Sequence, residues 1–189
     1  IVGPMGFTDM DKEGMLVEGF EEDCTMATYY NPSYYPQIIE RLSYKKEVDW
    51  IQYRIKANQE VPEKILRINN LIKEKYNLKI VEGLSAKQIA KRYGHKLFNT
   101  LNEAFSDLFG YVPLNEKQAQ FYIDMYFPFL DKRLLCLIVD ENDDIAAFGV
   151  SMPSLTEALR KSKGKLFPFG WYYLLKAIRN FENIDLYFN

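Results

Sequence analysis

Residues 134–150, LLCLIVDENDDIAAFGV, contain the pattern that decides the fold. Two apolar runs, Leu134–Val139 and Ile145–Val150, flank the polar run Glu141–Asp144, and this arrangement is typical of a β-hairpin. The acidic run also resembles a metal loop, but it lacks the glycine and the distal glutamate of a calcium-binding loop. We therefore predict a solvent-facing hairpin turn.

Helical patterns surround this hairpin. Two of them open with a capping box, formed by Ser85 with Gln88 and by Asn115 with Gln118. The predicted helices are residues 33–44, residues 62–76 with Pro62 as the first residue, a long helix from Ser85, a helix from Asn115 that Pro128 ends, a short helix capped by Ser154 and Glu157, and residues 169–181.

Further strands are predicted on both sides of these helices. Glycines divide the first 56 residues into short β-prone pieces, of which Met15–Glu18, Thr25–Tyr30 and Val48–Ile55 are the clearest. Residues 78–82 and 184–189 are also predicted to be strands. The sequence thus indicates an α/β (α+β) fold with a mixed, largely antiparallel sheet flanked by helices, and a boundary at residues 56–61.

Composition and charge exclude several classes of protein. The net charge is −2 and the sequence pI about 5.6, without a basic stripe, so no nucleic-acid partner is expected. No apolar run is long enough for a membrane span, and these residues show no n-region and h-region pattern of a signal peptide. Two isolated thiols, Cys24 and Cys136, favour a reducing compartment, so we expect a cytoplasmic protein without a membrane partner.

Candidates for metal or nucleophilic chemistry are few. His95 is the single histidine, and it lies within a predicted helix, distant in sequence from both cysteines. We interpret it as a surface or structural residue, and we expect no metal site. The 14 Tyr and 13 Phe fill the core or line a ligand cleft.

Two segments carry a resemblance to a known family. Residues 3–20 contain Gly-Pro-Met-Gly-Phe-Thr-Asp and then Gly-Met-Leu-Val-Glu-Gly-Phe, and residues 31–35 are Asn-Pro-Ser-Tyr-Tyr. This pattern resembles a signature of bacterial tandem GNAT-like (acyl-CoA N-acyltransferase) proteins, many of them uncharacterised. The resemblance implies that residues 1–56 are the C-terminal half of one unit, 57–77 a connecting helix, and 78–189 the N-terminal half of a second unit.

The resemblance also implies site residues and a cofactor, acetyl-CoA. The catalytic candidates are Tyr187, Glu18 as a base, and Tyr35, and the cofactor-binding candidate is the strand backbone at Leu186, Tyr187 and Phe188. In the family a tyrosine precedes a Gly-Phe pair by four residues, whereas here the pair is Ser43-Tyr44 and the tyrosine position is Ile39. The family's pyrophosphate loop would begin where this sequence ends, and the first half lacks such a loop too.

The resemblance leaves two functions open. One is a fragment of a GNAT N-acetyltransferase that acts on a small amine. The other is a non-catalytic ligand-binding or interaction module, for which the aromatic stretch 121–129 would serve as an interface or pocket lid. Both ends of the chain look cut from something longer, and self-association through the C-terminal strand edge is expected if that edge has no partner.

Overall fold

The computed structural model describes residues 1–57 and 60–188 and has an α/β fold with six helices and a four-stranded antiparallel sheet in the order β1-β2-β3-β4. The helices are α1 (Tyr35–Arg41), α2 (Glu63–Lys75), α3 (Ala86–Ala104), α4 (Glu116–Tyr126), α5 (Thr156–Ser162) and α6 (Gly170–Arg179). The strands are β1 (Lys79–Ile80), β2 (Leu135–Val139), β3 (Ile145–Pro153) and β4 (Ile184–Phe188), and 3-10 helices cover residues 127–129 and 132–134. The predicted fold class is confirmed.

The chain divides into two compact units, each built from separate stretches of sequence. Unit 1 contains residues 1–45, 105–114 and 150–189, and unit 2 contains residues 46–104 and 115–149. The predicted boundary at residues 56–61 includes residues 58 and 59, which lie outside the described part of the chain. The division into two half-units of an acyltransferase stays a prediction.

Unit 2 contains most of the buried apolar residues. The capping boxes predicted for α3 and α4 both form: Gln88 N–H donates to Ser85 Oγ at 3.3 Å, and Gln118 N–H donates to Asn115 Oδ1 at 3.0 Å. A Cβ on Gly94 of α3 would lie 2.9 Å from Ile123 Cδ1 of α4, so the absence of a side chain allows these helices to pack closely. The buried residues of this core are Ile89, Tyr93, Leu97, Phe98, Leu101, Ala119, Ile123, Phe127, Leu137 and Val139.

Side chains of α3 hold the hairpin turn between β2 and β3. Tyr93 Oη donates a hydrogen bond to Asp143 Oδ1 at 2.6 Å, and Arg92 binds the same carboxylate with two N–H groups at 2.8 and 3.1 Å. Lys96 Nζ lies 2.8 Å from Asp144 Oδ1. The hydrogen bond from Tyr93, followed by the contacts of Arg92, keeps the pKa of Asp143 below its ordinary value. The predicted hairpin is confirmed, and its acidic residues bind protein cations.

The prediction of strands within the first 56 residues is wrong. Every residue of that segment is described, and none of them belongs to a strand, including residues 15–18, 25–30 and 48–55. A strand needs a neighbour for its backbone hydrogen bonds, and at Leu16 a side chain takes that role. Buried Asn31 accepts a hydrogen bond from Leu16 N–H at 2.7 Å and donates one to Leu16 O at 3.1 Å.

Two helices also differ from expectation. The predicted cap of α5 by Ser154 and Glu157 does not form, because the N-cap residue is Leu155 and Glu157 pairs with Lys161 at 3.0 Å. α2 has apolar residues at helical spacing, but none of its residues is buried. The exposed apolar residues of α2 are Ile65, Leu66, Ile68, Leu71 and Ile72.

The backbone conformation at the end of α1 shows why glycine would suit position 43, where GNAT-like proteins have the glycine of a Gly-Phe pair. Ser43 adopts φ 68°, a left-handed conformation that glycine tolerates best. Ser43 N–H donates to Glu40 O at 2.9 Å and Tyr44 N–H to Ile39 O at 3.3 Å, which is the Schellman arrangement at a helix C-terminus.

Replacing Ser43 with glycine should therefore stabilise the protein. The expected gain in the free energy of unfolding is about 0.5–1 kcal/mol, because the steric cost of the left-handed conformation disappears. Denaturant unfolding of Ser43→Gly measures it. The control Ser43→Ala keeps a Cβ and should show no comparable gain; equal gains in both variants would contradict this explanation.

Truncation of a buried leucine tests the core of unit 2. Leu101 is 1% exposed, so Leu101→Ala should lower the free energy of unfolding by about 2–5 kcal/mol through lost burial and a cavity. The control is Leu66→Ala on α2, where the leucine is 50% exposed and the expected loss is below about 1 kcal/mol. Similar losses in thermal or denaturant unfolding would contradict this assignment of the core.

Candidate functional site

The C-terminal strand of unit 1 contains a β-bulge at a predicted site residue. Val150 of β3 lies opposite Phe188 of β4, whereas the next residue, Ser151, lies opposite Leu186. The pairing thus advances by one residue on β3 and by two on β4, which makes Tyr187 the extra residue of the bulge. Bulges bend a strand and are frequent beside active sites, where they re-aim a side chain.

A half-buried carboxylate precedes this bulge. Asp185 pairs with Met152 in the ladder, and its burial raises the pKa of its carboxyl group, an effect that a hydrogen bond with the Ser154 side chain partly offsets. The strand is held at this end by Ser154 N–H, which donates to Asn183 O at 2.9 Å. A carboxylate with a raised pKa is a better proton acceptor, so Asp185 is suited to acid–base chemistry.

The glycine-rich motif near the N-terminus of unit 1 forms an acidic loop, residues 6–14. Asp11 Oδ2 accepts hydrogen bonds from the backbone N–H groups of Phe7 and Thr8 at 2.9 and 3.1 Å. The Asp11 side chain also lies against Gly6, at a place where a Cβ on Gly6 would collide with it. This close approach explains the glycine of the motif.

Two other carboxylates of the acidic loop, those of Asp9 and Glu13, have raised pKa values. Burial raises the pKa of Asp9 above its ordinary value. Burial also raises the pKa of Glu13, assisted by the charges of Asp9 and Asp11, although a hydrogen bond from Gly6 N–H to Glu13 Oε1 at 3.3 Å lowers it. The pKa of Tyr111 is raised by burial and then by the nearby charge of Asp9.

Aromatic rings connect the acidic loop with the bulged strand inside unit 1. The ring centroid of Phe105 lies 6.1 Å from that of Phe188, next to the bulge, and 5.7 Å from that of Tyr111. An aromatic contact chain therefore runs from β4 through Phe105 to Tyr111, whose pKa responds to the charge of Asp9 in the acidic loop. We call the bulge, Asp185 and this chain the β4 site.

The predicted site residues occupy different parts of unit 1. Leu186, Tyr187 and Phe188 lie together on β4 at the bulge. Glu18 is exposed in an irregular segment, and Tyr35 begins α1, where its ring contacts that of Tyr34 at 5.1 Å. Their catalytic and cofactor-binding roles stay predictions. Sequence reasoning missed Asp9, Glu13 and Asp185, since only burial in the folded chain distinguishes them from surface acids.

The remaining candidates lie elsewhere. His95 is exposed, and its Nε2 lies 2.9 Å from Gln120 Oε1, in agreement with a surface role. Within residues 1–57 and 60–188, no three His, Cys, Asp or Glu side chains could hold a metal ion together, and Cys24 and Cys136 are free thiols. No helix among the described residues is long and apolar enough to cross a membrane.

The aromatic stretch 121–129 corresponds to the end of α4 and the 3-10 helix that follows. Tyr122 stacks on Tyr126 with ring centroids 5.9 Å apart, while Phe121 is exposed and Ile123 is buried. The stretch therefore contributes both to the core of unit 2 and to its surface, and its role as an interface or lid stays a prediction.

Neutralising Asp9 should stabilise the protein at neutral pH. Its folded-state pKa is raised from 3.8, so its contribution to stability is present below pH 3.8 and is lost as the pH rises through the folded-state pKa. Asp9→Asn removes that loss, so its melting temperature should exceed that of the wild type at pH 7, with a smaller difference at pH 3. The control Asp107→Asn changes an exposed carboxylate; a pH-independent difference for Asp9→Asn would contradict the prediction.

Comparison with known proteins shows a distant relation to two bacterial proteins. The chain is 27% identical over 182 residues to a bacterial ceramide synthase of Caulobacter vibrioides, and the alignment covers 94% of this chain and 45% of the relative. It is 26% identical over 194 residues to Protein YghO of Escherichia coli, with 95% and 45% covered. The chain thus spans about half the length of these curated relatives. No protein-family model matches it, and no solved structure does.

Proposed function

We propose that this chain carries part of the acyl-transfer site of an N-acyltransferase, which joins an acyl group from a thioester to an amine. The observation that carries the proposal is the relation to a bacterial ceramide synthase, because it extends over 94% of the chain. A ceramide is an amide of a long-chain amino alcohol, so its synthesis requires N-acylation. The resemblance of residues 3–20 and 31–35 to GNAT-like proteins supports the same reaction class.

The β4 site supports this reaction with two groups. Asp185, whose pKa is raised by burial, would accept the proton of the attacking amine. The amine nitrogen bonds to the acyl carbon, the carbon–sulfur bond breaks, and Tyr187 would donate its phenolic proton to the departing sulfur. The proton on Asp185 then returns to Tyr187 through solvent, which balances the step.

The bulge supports the placement of Tyr187 in this role. A regular strand would keep Tyr187 in register with a residue of β3, whereas the bulge removes it from the register and alters its direction. The ring contact between Phe188 and Phe105 helps to fix the strand just after the bulge. A fixed strand holds reacting groups in position, which lowers the entropic cost of reaction.

Substitution of Asp185 tests the proposed base. Asp185→Asn should reduce the rate of amide formation from an acyl thioester and a long-chain amine by about a hundred- to ten-thousandfold, measured by mass spectrometry of the product. The control Asp107→Asn should retain the wild-type rate. Circular dichroism checks that both variants are folded. Full activity of Asp185→Asn, or no amide product from the wild type, would contradict the proposal.

A second variant separates proton transfer from simple structural support. The hydrogen bond from Ser154 lowers the pKa of Asp185, so Ser154→Ala should raise that pKa further. Since the base works in its deprotonated form, the acidic limb of the rate–pH profile should move to higher pH. A profile that keeps its position would argue against Asp185 as the base.

A non-catalytic interaction module is the second candidate. It is favoured by the apolar stripe of α2, whose residues are exposed at 44–56% although they have the spacing of a buried face. Such a module would form no amide product in the same assay. The activity measurement therefore distinguishes the two functions.

A further inference from the structure

Residues 158–181 have a charge opposite to that of the rest of the chain. They contain six cations and no aspartate or glutamate, and the cations are Arg160, Lys161, Lys163, Lys165, Lys176 and Arg179. The other residues contain 18 cations and 26 acids, a net charge of −8. The overall charge of −2 does not reveal this local excess, which covers most of α5, the loop after it and α6, all within unit 1.

The same stretch exposes a cluster of large apolar side chains. Phe167 is 80% exposed and Phe169 is 67% exposed, although phenylalanine is usually buried. The exposed apolar residues of the loop and the first turn of α6 are Leu166, Phe167, Phe169, Trp171, Tyr172 and Tyr173. Large exposed apolar clusters are rare on soluble proteins and mark interaction sites. We call these six residues, together with Lys163 and Lys165, the α5–α6 surface.

Hydrogen bonds fix the loop that carries the α5–α6 surface. Lys165 N–H donates to Ser162 O at 3.0 Å, and Trp171 N–H donates to Leu166 O at 3.0 Å. The indole N–H of Trp171 also donates to Pro168 O at 2.9 Å. The exposed side chains therefore stand on an ordered backbone, which lowers the entropic cost of binding a partner.

The two lysines of this surface are available to a partner. Their neighbours Arg160 and Lys161 bind carboxylates of the protein at 2.7 and 3.0 Å. Lys163 and Lys165 are exposed and form no ion pair with any residue in the described part of the chain. Their positive charge therefore faces solvent beside the exposed rings.

We infer that the α5–α6 surface binds the chain to the face of an anionic lipid bilayer. Tryptophan and tyrosine are favoured at the level of the headgroups, and phenylalanine and leucine enter the apolar layer below them. Anionic headgroups attract a basic segment. Binding of this kind needs no spanning segment, so the inference replaces the expectation that the chain has no membrane partner. It does not rest on the proposed acyl transfer.

The order of lysines and rings favours a bilayer over a protein partner. The cores of protein interfaces are depleted in lysine. At a bilayer the ammonium groups stay hydrated among the headgroups while neighbouring rings enter the apolar layer. Lys163 and Lys165 lie directly before Leu166 and Phe167 in the sequence, so cations and apolar side chains meet the same surface.

The test is co-sedimentation of the chain with phosphatidylcholine vesicles, prepared with and without phosphatidylserine. The chain should bind the anionic vesicles more tightly than the neutral ones, and less tightly at high salt because salt screens the attraction. Lys163→Gln combined with Lys165→Gln should weaken binding about twenty- to thirtyfold, since each cation near an anionic bilayer contributes about fivefold. The matched control, Lys87→Gln combined with Lys91→Gln, removes two exposed lysines of α3 and should bind like the wild type.

A second pair of variants tests the apolar contribution. Phe167→Ser combined with Phe169→Ser should weaken binding to anionic vesicles by about tenfold or more, because two rings no longer enter the apolar layer. The control, Ile68→Ser combined with Leu71→Ser, removes exposed apolar side chains from α2 and should leave binding unchanged. Circular dichroism checks that all four variants are folded.

Tryptophan fluorescence locates the contact independently of these variants. The chain has two tryptophans, so Trp50→Phe leaves Trp171 of the α5–α6 surface as the single emitter. Its emission should move to shorter wavelength when anionic vesicles are added, because the indole leaves water. Vesicle binding without that shift would place the contact elsewhere and overturn the inference.

Other results would also overturn the inference. Absence of binding to anionic vesicles would do so, and so would equal weakening by the α5–α6 variants and their controls, which would indicate non-specific adhesion. Binding to a single-stranded oligonucleotide, or self-association, that the same substitutions abolish in the absence of vesicle binding would assign the surface to a nucleic acid or to a second copy of the chain. None of these measurements depends on amide formation, so the acyl-transfer proposal is tested separately.

Discussion

The carboxylate of Asp143 binds the turn between β2 and β3 to α3. It accepts hydrogen bonds from Tyr93 and Arg92 of α3, and Asp143 itself adopts φ 64° in the turn that starts β3. These contacts fix the turn that joins β2 to β3, and hence the residue at which β3 begins. A slip of one residue would move every side chain of a strand to the opposite face.

The sequence predicts best what is local. Both capping boxes and the hairpin form as expected, because each is determined by residues within a few positions of one another. The pieces at 15–18 and 48–55 have β-prone residues but do not form strands, since a strand exists only with a hydrogen-bonding neighbour. The β-strand preference of these residues does not by itself provide a neighbouring strand.

The candidate site was predictable only in part, for the same reason. The resemblance indicated Tyr187, and its position on β4 agrees with the expected strand, but the bulge depends on the register against β3 and has no signal in the sequence. Asp9, Glu13 and Asp185 resemble ordinary surface acids in the sequence. Their raised pKa values arise from burial by distant segments, which spacing does not reveal.

The two units differ in the kind of residue that they bury. The buried polar residues Thr8, Asn31 and Ser151 all belong to unit 1, whereas most buried apolar residues belong to unit 2. Buried polar groups require partners with defined geometry, as Asn31 has with Leu16. Unit 1 thus depends on hydrogen-bond geometry more than on apolar burial.

The exposed apolar face of α2 has a consequence for the dynamics of the chain. Helices of 13 residues are marginal in water unless tertiary contacts hold them, and α2 buries none of its side chains. Its backbone hydrogen bonds therefore open at a low free-energy cost compared with those of α3. We therefore expect the amide hydrogens of α2 to exchange with solvent earlier than those of α3.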